Sequence, residues 1–134
     1  MHKPSVVAVQ SVDLSKSELR VLEVLWKEQP LTVGQVIERL QKEHDWHQNT
    51  VKTMLMRLLK KKAVARRKDG GRFFYLPLIT REATVTTESE RLLNRFFDGR
   101  MVPLVAHFAD RKKLSDRDIK QIEAILAKLK DGDA

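Results

Sequence analysis

The chain has 134 residues, room for one ordinary domain or two small ones, and 42% apolar against 33% charged side chains make a packed core possible. A formal charge of +8 favours a polyanionic partner. Cysteine is absent, which excludes disulfides, thiolate zinc sites and cysteine nucleophiles, and no stretch approaches the roughly 20 apolar residues of a membrane-spanning helix. The expected setting is therefore soluble and cytoplasmic.

Residues 1–13 lack periodicity and read as a loose arm. Ser15 opens the first helix, with Glu18 at capping-box spacing, Leu19, Leu22, Leu25 and Trp26 on one side, and Pro30 closing the segment. Leu31-Thr32-Val33 is long enough only to pair at a sheet edge. Thr32 and Gln35 repeat the capping-box spacing, so a second helix is expected over 33–44 with Val36, Ile37 and Leu40 inward. A third follows over 48–62, with Trp46 as a hydrophobic staple at its entrance. Then come a basic strand from Val64 to Lys68, an Asp69-Gly70-Gly71 turn and an aromatic strand from Arg72 to Pro77. Two glycines that reach positive φ without steric cost make the turn a strong hairpin signal.

The charge is concentrated in this last region. Between His47 and Leu76 stand Lys52, Arg57, Lys60, Lys61, Lys62, Arg66, Arg67, Lys68 and Arg72 against Asp69 alone, so the rest of the chain sums to zero. A helix followed by a basic hairpin is how a winged helix grips duplex DNA, with the helix in the major groove and the hairpin along phosphates. On a wheel of 100° per residue, Val51, Met54, Leu55 and Leu58 fall within about 60° of the buried direction. The opposite face collects Asn49, Thr53, Met56 and Lys60, flanked by Lys52 and Arg57. Asn can bond adenine bidentately, Arg and Lys suit guanine, and Thr and Met can touch a thymine methyl. Lys60, Lys61 and Lys62 lie at the far end, where phosphates are better targets. Arg66, Arg67, Lys68 and Arg72 are the candidate wing contacts.

A charge run is more often an ordinary solvated face; here the repeat of the charge on the hairpin argues otherwise. Phe73-Phe74-Tyr75 is open to two readings, a base-stacking platform or a strand whose alternate residues cover the core. RNA fits less well, because the narrow A-form groove does not admit a helix.

From 81 to 134 the charges nearly balance and apolar residues recur in clusters. Leu92, Leu93, Phe96 and Phe97 precede a break at Asp98-Gly99. Met101, Val102, Leu104, Val105 and Phe108 follow, and then a helix capped by Ser115 with Asp118 carries Ile119, Ile122, Ile125, Leu126 and Leu129. So short a segment cannot bury three apolar faces by itself. A second copy is the economical cover, which makes Leu92, Phe96, Leu104, Val105, Phe108, Ile122, Ile125, Leu126 and Leu129 the candidate dimerisation residues. The expected architecture is α+β, mainly α: an arm over 1–13, a winged helix-turn-helix DNA-binding domain over 14–80 and a small all-helical dimerisation domain over 81–134.

These residues resemble the penicillinase-repressor family, which includes the β-lactamase, methicillin-resistance and copper-transport repressors. The resemblance rests on Leu14-Ser15 with Glu18, Leu25-Trp26, Trp46, Thr50-Val51, Thr53, Leu55 and Arg57-Leu58. It continues through Lys61-Lys62, Arg72, Tyr75-Leu76-Pro77, Leu104-Val105, Phe108 and Leu114-Ser115. It implies a dimeric winged-helix repressor of antibiotic-resistance-type genes on a near-palindromic operator, with Thr50, Lys52, Thr53 and Arg57 on the reading helix. The wheel puts Thr50 at the edge of that face, where a phosphate contact suits it. Copper-responsive members carry a cysteine cluster, which is missing here. Members that answer β-lactams are cleaved, after a partner protease signals, at an Asn-Phe bond; the matching pair is His107-Phe108, which keeps the Phe and lacks the Asn.

Other classes fit less. No Gly-rich phosphate loop, nucleophile elbow or HExxH helix supports an enzyme. His44, Asp45 and His47 suggest a metal site only weakly; an interhelical turn accounts for them, and neither metal nor cofactor is expected. A non-specific architectural DNA-binding protein is the alternative, disfavoured by Asn49, Thr53 and Met56 at the centre of the exposed face. A membrane-surface role needs an exposed apolar helix face, and those faces look committed to a core.

Overall fold

The computed structural model describes residues 12–132. Its elements run α1 (Lys16–Lys27), β1 (Leu31–Thr32), α2 (Val33–Glu43), α3 (Gln48–Lys60), β2 (Val64–Asp69), β3 (Arg72–Pro77), α4 (Arg81–Phe96), α5 (Met101–Asp110) and α6 (Asp116–Lys130). The chain divides into two compact units, one up to Thr87 and one from Glu88 onward, so the division falls within α4.

Capping sets the helix starts. Ser15, Thr32 and Ser115 each accept a hydrogen bond from the backbone of the residue three on, and Glu18, Gln35 and Asp118 each return one to the cap. Helix α3 ends two residues before the sequence expectation, for a local reason. Lys62 takes a left-handed φ of 64°, the Lys62 N–H donates to the Leu59 carbonyl, and the Ala63 N–H donates to that of Leu58. That is a Schellman ending with lysine where glycine is usual.

The first unit is a three-helix core closed by a three-stranded antiparallel sheet in the order β1-β3-β2. Val21, Leu22 and Leu25 of α1 meet Val36 and Leu40 of α2 and Val51, Leu55 and Leu58 of α3, with Leu31, Val64, Tyr75 and Ile79 sealing them. In α1 the buried stripe lies nearer Val21 and Val24 than expected, and Leu19 and Trp26 are half-buried. Trp26 is half-buried because its indole N–H reaches out to donate to the Ile79 carbonyl at 2.9 Å, fastening the chain beyond the hairpin to α1. Trp46 sits two residues before α3 and packs against the core, as a staple does. Of the proposed arm, residues 1–11 lie outside the described ones. Val12 packs partly against the core and the Asp13 carbonyl accepts a hydrogen bond from Lys61.

Asp69 pairs with Arg72 across the hairpin, and Gly70 and Gly71, with φ of 58° and 82°, form the two-residue turn between them. The register divides the hairpin into two faces. Val64, Arg66, Lys68, Phe73 and Tyr75 share the one that carries buried Leu31, and Arg67, Asp69, Arg72 and Phe74 share the other.

In the second unit neither α5 nor α6 has a buried residue. Leu92, Phe96, Met101, Val102, Val105, Phe108, Ile119, Ile125, Leu126 and Leu129 are exposed, Phe96 to 67%, while Leu104 and Ile122 are partly covered.

Candidate nucleic-acid interface

Helix α3 is anchored through Val51, Met54, Leu55 and Leu58, all buried, which leaves Asn49, Thr50, Lys52, Thr53, Met56, Arg57 and Lys60 facing outward. Met56 is 55% exposed, far beyond what core packing would leave to a methionine in mid-helix. The Thr53 hydroxyl donates to the Asn49 carbonyl at 2.9 Å, so what it can still offer a partner is an acceptor lone pair and a methyl group. The helix is capped by His47, whose Nδ1 accepts from the Asn49 N–H at 3.1 Å.

Lys61 behaves differently from its neighbours. Its ammonium donates to Glu18 Oε1 at 2.6 Å and to the Asp13 carbonyl at 2.6 Å, and the Glu18 side chain is only 1% exposed. The residue expected at a phosphate thus fastens the end of α3 to the start of α1. Burial works to raise the Glu18 pKa; the Lys61 hydrogen bond, the Ser15 N–H and the Lys61 charge outweigh it and hold the carboxyl below its ordinary range.

Lys52, Thr53, Met56, Arg57, Leu59 and Lys60 line a shallow depression of about 720 Å³, and Arg66 of the hairpin completes its wall. Arg66, Arg67, Lys68 and Arg72 are all exposed. The triplet Phe73-Phe74-Tyr75 divides: Tyr75 is buried, Phe74 is half-covered and Phe73 is 42% exposed. The Arg66 guanidinium carbon lies 4.3 Å from the Phe73 ring centroid and the Lys68 ammonium 5.8 Å from it.

Both histidines before α3 are engaged within the fold. His44 Nε2 lies 3.0 Å from an Arg20 guanidinium nitrogen, which can only donate, and His47 caps α3. That use of His47 escaped the sequence reading, because histidine is an uncommon cap and only its place before Gln48 hints at it. His107 and Phe108 lie inside α5, both exposed, with their rings edge to face at 5.4 Å.

The penicillinase repressor family profile matches residues 14–128. The penicillinase repressor of Bacillus licheniformis is 35% identical over 113 residues, covering 84% of this chain and 88% of its own length. The methicillin resistance regulatory protein MecI of Staphylococcus aureus strain N315 is 28% identical over 119 residues, 89% of this chain and 97% of its own. Among solved structures, the DNA-binding domain of the repressor BlaI is 36% identical with a TM-score of 0.50, over 55% of this chain and 90% of that one. Equal values hold for monomeric Bacillus licheniformis BlaI in complex with the blaP half-operator. The order of helices and hairpin, the exposed polar face of α3 and these likenesses agree: the chain belongs to the penicillinase repressor family of DNA-binding transcriptional repressors.

Proposed function

We propose that this protein is a sequence-specific repressor that binds a near-palindromic operator as a homodimer and blocks transcription by occlusion. The observation that carries the reading is the outward face of α3, where Asn49, Thr53 and Met56 stand exposed among cations, and Thr53 and Met56 share a depression with Arg66 of the wing. Polar and apolar groups able to read base edges sit at its centre, and charges suited to phosphates sit around it. Residues 14–80 are assigned to DNA and residues 81–134 to pairing of two copies. The exposed apolar side chains of α5 and α6 support the pairing, since a monomer seldom leaves so many uncovered. Two reading helices held in one dimer favour half-sites about one or two helical turns apart, and pairing raises the effective concentration of the second head. The protein works where DNA is, in the cytoplasm; no helix among the described residues is long and apolar enough to cross a membrane.

Its relatives are named for penicillinase and methicillin resistance, so genes of that type are the proposed targets. Release by a sensor-linked protease at His107-Phe108 is part of the same proposal. Proteases bind extended chain, so cleavage inside α5 requires that helix to unwind locally. Mass mapping after incubation with extract of antibiotic-challenged host cells tests it. A cut between His107 and Phe108 supports release by cleavage, and an intact chain alongside full derepression overturns it.

Competition between duplexes tests the main reading. A repressor prefers its site over random duplex by at least about a thousandfold at equal salt. A non-specific architectural protein, the alternative, shows no such ratio.

A further inference from the structure

The wing carries four cations that a sequence reading treats alike, and the strand register separates them. Arg67 and Arg72 leave the outer face of the hairpin. Arg66 and Lys68 leave the face that also carries Phe73 and, nearer the core, buried Tyr75 and Val64. That inner face turns toward α3, because Arg66 lines the same depression as Thr53, Met56 and Arg57. Phe73 lies on it beyond the edge of the core, and its ring is left 42% exposed. A phenylalanine kept in solvent has little to gain from burial there, but it can offer its π face. The Arg66 guanidinium takes that face at 4.3 Å, with Lys68 farther off at 5.8 Å.

We propose that Phe73 is a positioning residue for DNA: its ring holds the Arg66 guanidinium at the wall of the α3 depression, so that Arg66 contacts the strand bordering the recognition helix. An unsupported arginine on a hairpin samples many rotamers and loses side-chain entropy when fixed. A guanidinium already stacked on a ring has been ordered in advance, and its flat shape leaves its edge N–H groups free for a phosphate or a base edge. Arg67 and Arg72 leave the other face, away from Phe73, and act as general phosphate charges. The proposal rests on the DNA-binding reading and deepens it.

The test compares Phe73→Leu, which keeps bulk and removes the π face, with Phe73→Tyr, which keeps both. Kd is measured for a fluorescent duplex recovered by selection from a random pool, and for a random duplex. The expected result is weakening by about three- to tenfold for Phe73→Leu and no change for Phe73→Tyr. Arg66→Ala should weaken binding at least as much, and adding Phe73→Leu to it should cost nothing more. Thermal unfolding of each variant checks that the fold is kept. Wild-type affinity in Phe73→Leu overturns the proposal, as does equal loss in Phe73→Tyr. Additive effects of Phe73→Leu and Arg66→Ala overturn it too, and point to a ring that touches DNA itself. A wild-type protein that binds neither duplex would instead defeat the DNA-binding reading on which it rests.

Discussion

The Lys61 ammonium lies 2.6 Å from Glu18 Oε1, joining the C-cap of α3 to the first turn of α1. Forty-three residues separate the two in sequence. The carboxylate is enclosed, the ammonium half-open, and the same Glu18 oxygen also accepts from the Ser15 N–H that begins α1. The pair therefore fixes where α3 ends against the rest of the core. Lys61→Met leaves a carboxylate enclosed without its cation and should cost roughly 1–3 kcal/mol, less than for a fully buried pair because the ammonium reaches solvent. Denaturant unfolding measures this. The salt dependence of DNA binding should keep its slope, whereas Lys60→Ala should make it shallower by about one unit. A reduced slope in Lys61→Met would return Lys61 to the phosphates.

The same pair sets a pH dependence. The folded Glu18 carboxyl titrates below its ordinary value of 4.5, so the folded state holds its proton less tightly than the unfolded chain. Its contribution is thus fully present above that value and is lost as pH falls through the lowered folded pKa. Stability measured by urea across this acid range should fall more steeply for the wild type than for Glu18→Gln. Parallel curves would contradict the assignment.

Lys62 holds a left-handed conformation at the end of α3, where the missing Cβ of glycine removes strain. Lys62→Gly should raise stability by about 0.5–1 kcal/mol, read from the denaturation midpoint, with base preference unchanged. A loss of stability would mean that the lysine side chain makes a contact worth more than the strain.

Much of this arrangement was legible in the residues. Paired Ser15 and Glu18, Thr32 and Gln35, and Ser115 and Asp118 mark helix starts because a cap is a local event, complete within four residues. Asp69-Gly70-Gly71 marked the hairpin for the same reason, and the spacing of Val51, Met54, Leu55 and Leu58 told the buried side of α3 from the exposed one. What escaped was non-local. Lys61 stands in a run of three lysines and looks like its neighbours until the fold brings Glu18 beside it. Phe73 alternates with Tyr75 as a core residue should, yet the core ends before reaching it, and only the strand register reveals Arg66 above its ring.

The two faces assigned to α3 and the wing can be separated by substitution. Asn49→Ala or Thr53→Ala should relax base preference, by about 1–3 kcal/mol of discrimination, and leave oligomeric state unchanged. Lys60→Ala or Arg67→Ala should weaken all duplexes alike. Binding measured on selected and random duplexes distinguishes them, and identical behaviour of both groups would contradict the division.

Pairing through the second unit predicts that Leu126→Asp yields monomers. Leu126 is 51% exposed in the single chain, so the substitution spares the fold of the protomer, but a second copy would have to bury an unpaired carboxylate. Sedimentation velocity reads the outcome. A variant that still pairs would remove Leu126 from the interface.

Selection of duplexes from a random pool by the purified protein at physiological salt, followed by sequencing, shows whether the protein reads one sequence as a dimer. A dimeric, sequence-specific repressor enriches an inverted repeat whose half-sites keep one fixed spacing, roughly 10 or 20 base pairs from centre to centre. Tight binding without any enriched sequence would contradict that reading, and would leave Asn49, Thr53 and Met56 without a base to read.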